Sequence, residues 1–81
     1  MNRNTADILA DLTSLIDDEK SVWRNHARLN RAAIYAMQHK YQDAIADASA
    51  IRAAANVPPS LAQRASSLEQ LYTIRLEETE S

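Results

Sequence analysis

Two pairs of carboxylates, Asp7 with Asp11 and Asp43 with Asp47, stand four residues apart. On a helix that spacing puts both members on one face, where they can do general acid–base work or hold a hard cation. Such a pair needs burial and a pocket. The surrounding chain is rich in alanine, so the plainer reading is two solvated helix faces. His26 and His39 lie thirteen residues apart. No His-x-x-x-His spacing or clustered carboxylate joins them, so they read as surface or turn histidines and no metal is assigned. Serine and threonine are plentiful, but a nucleophile elbow needs glycine and the chain has none. The expectation is a protein that is not an enzyme and carries no cofactor.

Binding chemistry is better represented. Arg24, Arg28 and Arg31 fall at i, i+4 and i+7 and form one basic stripe on a helix. Such a stripe can receive an acidic partner, a terminal carboxylate or a phosphate. The plainer reading is salt bridging to Asp17, Asp18 or the acidic C-terminal tail. Trp23, the lone tryptophan, lies beside the stripe as core or as an interface anchor. With Asn30 and Tyr35 these residues make the candidate partner-binding set. Ile8, Leu12, Leu15 and Ile16 make a second apolar stripe, either core or a docking or dimer seam.

Composition narrows the fold that must hold these groups. The chain has 81 residues and a net charge of −2, with no Cys, Gly or Phe. Without cysteine there is no disulfide scaffold or thiolate metal site. Without glycine, phosphate-cradling loops and the positive-φ turns of β-hairpins are disfavoured. What remains is a soluble all-α chain in one domain, residues 1–81. Fifteen residues are alanine, a strong helix former that buries little area. A chain this short and this rich in alanine gains from a partner. No run approaches the length of a membrane span, and the expected location is the cytoplasm. Residues 1–20 sum to −3, 21–52 to +3 and 53–81 to −2. The acidic total weighs against general nucleic-acid binding.

The apolar spacing predicts the elements. Met1 to Asn4 reads as a frayed start, with Asn4 or Thr5 capping the first helix and Asp7 in its first turn. One near-continuous helix is expected over about 5–38, kinked near 17–20. Asp17, Asp18 and Glu19 are then either a solvated helical face or the first turn of a second helix. Gln38, His39 and Lys40 interrupt the pattern, and a tight turn there would lack a residue suited to positive φ. A further helix is expected over 41–55. Asn56-Val57-Pro58-Pro59 is the clearest break. Ser60 with Gln63 reads as a capping box for a last helix over 60–77, followed by an acidic tail, 78–81.

Ala32, Tyr35, Tyr41 and Ala44 carry a resemblance. A small residue, a tyrosine three later, a second tyrosine and an alanine three further on resemble a single tetratricopeptide repeat over residues 25–58. The string Asn30-Arg31-Ala32-Ala33-x-Tyr35 looks like the version in co-chaperone repeats that bind a C-terminal carboxylate. The chain departs from the pattern at Arg28, where an apolar residue is usual, at His39, where glycine commonly makes the turn, and at Pro58, which comes two residues late. The resemblance implies a TPR-like antiparallel helix pair with the last helix as its cover, a bundle of three to four helices in all. The function expected is an interaction module, an adaptor, chaperone or co-chaperone that binds a partner helix or peptide, or a second copy of itself. The alternative is a small phage- or plasmid-type regulator that reads DNA through the 24–31 face.

Overall fold

A computed structural model describes residues 4–80; residues 1–3 and Ser81, parts of the expected frayed ends, lie outside the described residues. Four helices form among them and no strand: α1 (Thr5–Asp17), α2 (Arg24–Met37), α3 (Tyr41–Ala53) and α4 (Pro59–Glu80). The fold is an all-α bundle. Asn4 caps α1, its Oδ1 accepting from the Asp7 amide at 2.8 Å, and Asp7 sits in the first turn where the helix dipole favours it.

The expected helix over 5–38 is two helices. The acidic run ends α1 at Asp17 and leaves the helix at Asp18, because short side chains there satisfy the backbone locally. Asp18 Oδ1 accepts from the Lys20 amide at 3.0 Å and Ser21 Oγ from the Trp23 amide at 3.1 Å. Such bonds compete with the helical ladder. The break also brings Arg24 back to α1, where its Nε donates to the Ile16 carbonyl at 2.6 Å. That carbonyl is one of the four left open at a helix C-terminus.

The turn at 38–40 is a full Schellman motif with histidine where glycine is usual. His39 has φ 62°. The Lys40 amide donates to the Tyr35 carbonyl at 2.8 Å and the His39 amide to that of Ala36 at 3.0 Å. Asn56 takes the other positive φ, 61°, and α3 ends at Ala53, short of residue 55. α4 starts one residue before the expected Ser60 cap. The Pro58 carbonyl accepts from the Leu61 and Ala62 amides, both at 3.0 Å, and Pro59 takes the first helical position, where a missing N–H costs nothing. The expected tail is helical to Glu80.

Each helix packs chiefly on its sequence neighbours, α1 on α2, α2 on α3 and α3 on α4, in a flat slab of 40 × 36 × 17 Å. Alanine makes this possible. Ala32 and Ala44 meet Tyr72 in one cluster, and Ala65 meets Ile51 and Leu61 in the other. Small side chains let the helix axes approach, while Tyr35 and Tyr41 fill the space beside the contact. Among the described residues Ile51 is the one large side chain fully enclosed. Arg52 clamps α3 to α4 through two bonds to Glu69, at 2.8 and 3.1 Å. No described helix is long and apolar enough to cross a membrane.

Candidate functional site

The basic stripe lies on the inner side of α2. Arg31 donates from Nε and Nη2 to the two oxygens of Asp47 at 2.7 and 2.5 Å, and from Nη1 to Thr13 Oγ1 at 3.2 Å. Its guanidinium also lies over the Tyr35 ring, 5.7 Å from the centroid. The residue joins α1, α2 and α3. Asp47 is 4% exposed, and its bonds to Arg31 hold the guanidinium above its ordinary pKa. The salt bridge therefore forms with neither Asp17, Asp18 nor the tail, and the Asp43–Asp47 pair is divided between solvent and core.

Arg28 donates to Asn25 Oδ1 at 2.9 Å. Burial first, and then the nearby Arg24, hold its guanidinium below the ordinary value. Arg24 and Arg28 keep access to water through a cleft of about 440 Å³ shared with Glu19, Asn25 and the alanines at the end of α3. Tyr35 shares the inner side of α2 with the arginines.

The outer side of α2 carries a different stripe. Trp23, His26, Asn30, Ala33 and Met37 follow one another at three- and four-residue steps, and all are exposed. Trp23 is 61% and Met37 80% exposed, and Trp23 meets the His26 ring edge-on at 5.9 Å. With 3.6 residues per turn, this stripe stands opposite the arginines. Trp23, the N-cap of α2, adjoins Arg24 in sequence but turns about a quarter to a third of a turn away from the arginines, toward the outer stripe.

α1 extends the outer surface on one flank. The Thr13–Arg31 bond marks the side of the α1–α2 contact nearer α3. By helical spacing Ile8 and Leu15 lie on the side of α1 turned away from Thr13. Both are 38% exposed. Leu12 is half-buried and Ile16 buried in the contact with α2, so the expected seam of four divides into two core positions and two surface ones. On the opposite flank, a groove of about 390 Å³ runs between α2 and α4, lined by Ala33, Met37, Leu71 and Arg75 among others.

The candidate site is thus the outer α1–α2 surface with its α4 edge. Of the expected residues it contains Trp23, Asn30, Ile8 and Leu15. Sequence reasoning missed Ala33, Met37, Leu71 and Arg75. The signal for Ala33 and Met37 was present in the 3.6-residue spacing from Trp23 to Met37, diluted by His26 and Asn30; Leu71 and Arg75 join only through the packing of α4. Among the described residues no group of three or more His, Asp or Glu is gathered to hold a metal. Comparison with protein-family models, with curated proteins and with solved structures finds no match.

Proposed function

We propose that the chain is a non-enzymatic interaction module, an adaptor or chaperone of the cytoplasm, that takes an amphipathic helix or peptide of another protein onto the outer α1–α2 surface. One observation carries the reading. Trp23 and Met37 stand exposed along the outer side of α2, and Ile8 and Leu15 stand exposed on α1, while alanines supply most of the interior. Large apolar groups on a small surface rimmed by polar ones mark a protein-binding face. Trp23 serves as anchor, Asn30 offers a central hydrogen-bonding group, and Arg75 at the α4 edge favours an acidic flank on the partner.

The TPR-like organisation remains part of this proposal. Arg24 and Pro59, the first residues of α2 and α4, are 35 positions apart, close to the 34-residue repeat. α4 packs on α3 and reaches α2 through Tyr72, which meets Ala32 and Ala44. The DNA-reading alternative draws little support from a stripe whose members bond Ile16, Asn25 and Asp47.

The test is differential capture from the host with the native chain, Trp23→Glu and Arg28→Ala. The partner is expected to be retained by Arg28→Ala, lost with Trp23→Glu, and to protect amides 23–37 from exchange. Identical capture by all three chains would refute the assignment.

A further inference from the structure

We propose that the outer face of α4 pairs with the same face of a second copy, the two helices running antiparallel. α4 has 22 residues, against 13 in α3. It buries Leu61, Ala65 and Tyr72 on one side. An adjoining exposed strip, about a third of a turn away, presents Arg64, Ser67, Leu71, Ile74 and Glu78, with Leu71 at 45% and Ile74 at 53%. Their steps of three, four, three and four residues are those of a two-helix seam. The apolar pair sits in the middle, with a cation on its N-terminal side and an anion on its C-terminal side.

That order of charges selects both occupant and direction. A parallel second copy would set Arg64 beside Arg64 and Glu78 beside Glu78. An antiparallel copy centred between Leu71 and Ile74 sets each leucine beside the other chain's isoleucine. It also brings each Arg64 within a helical turn of the other chain's Glu78. All four apolar side chains are covered and both charge pairs are of opposite sign, as a two-fold axis requires. Glu78 is already oriented by Arg75 of its own chain, at 3.7 Å. The seam spans roughly 20 Å of helix and is narrower than a standard interface. Pairing is therefore weak, with a midpoint on the order of 10–100 μM. Leu71 borders the partner surface as well. Ile74 and Trp23 each belong to one face alone, so the two proposals stand or fall separately.

The test is sedimentation equilibrium on the full chain from about 5 to 500 μM. The native chain is expected to pass from monomer to dimer and stop there. Ile74→Glu is expected to stay monomeric with an unchanged circular dichroism spectrum and melting temperature. Arg64→Glu and Glu78→Arg are each expected to weaken pairing at least tenfold, and the two together to restore it. A native chain still monomeric at the highest concentration would overturn the proposal. So would assembly that grows past the dimer, as a head-to-tail α1-on-α4 contact would, or a charge exchange that fails to restore pairing.

Discussion

Removing the carboxylate of Asp47 tests whether Arg31 is an internal clamp. In Asp47→Ala the guanidinium loses both short bonds and keeps only Thr13 and the Tyr35 ring. The two side chains are 19% and 6% exposed. Breaking a buried pair from one side costs about 3–5 kcal/mol. Arg31 has an open edge through which water can reach the stranded charge, so the cost here is about 2–3 kcal/mol. A domain of this size has roughly 4–12 kcal/mol of stability in all. The melting temperature therefore falls by about 10–20 °C. Urea unfolding followed by circular dichroism measures the loss directly. Arg31→Met with Asp47→Leu is expected to recover most of it, because two apolar groups leave no charge stranded. A single Asp47→Ala change within about 0.5 kcal/mol of the native chain would show that the pair holds nothing together, and Arg31 would return to the list of residues open to a partner.

His39 occupies the left-handed region without glycine's freedom. His39→Gly is expected to stabilise the fold by about 0.5–1 kcal/mol once the extra freedom of the unfolded chain is deducted, as read by chemical denaturation; a loss of stability would refute the strain. Burial pushes the Tyr72 hydroxyl above its ordinary value, with Arg64 opposing. The folded state then holds its proton more tightly than the unfolded one, so stability present below about pH 10 declines as pH rises through that value. Tyr72→Phe is expected to flatten the decline in melts taken between pH 8 and pH 11, and an unchanged slope would count against it.

What could be read from the residues was local. Asn4 and Asp7 announce a helix start because cap and first turn are neighbours in sequence. Asn56 and the two prolines announce a stop for the same reason. The break after Asp17 was harder, because an acidic run suits a solvated helix as well as a turn; the hydrogen bond from Lys20 to Asp18 decides, and it is a matter of rotamer. The 24–28–31 spacing gave the arginine stripe correctly but not the side it faces. That depends on Asp47, sixteen residues further on and itself first read as half of a solvated pair. The outer stripe from Trp23 to Met37 obeys the same arithmetic, yet only two of its five members are strongly apolar. Periodicity reports which residues share a face; it does not report which face the other helices cover.

α1 leans chiefly on α2 and has no helix on its far side. Peeling it away uncovers Ile16 and Ala27 and frees Thr13 from Arg31, yet leaves the Arg52–Glu69 clamp and the α3–α4 seam whole. Residues 18–23 are thus the expected hinge of a first opening step well short of global unfolding. Amides in α1 are then the earliest to exchange with solvent, and a protease cutting in that hinge would leave a three-helix remnant still folded.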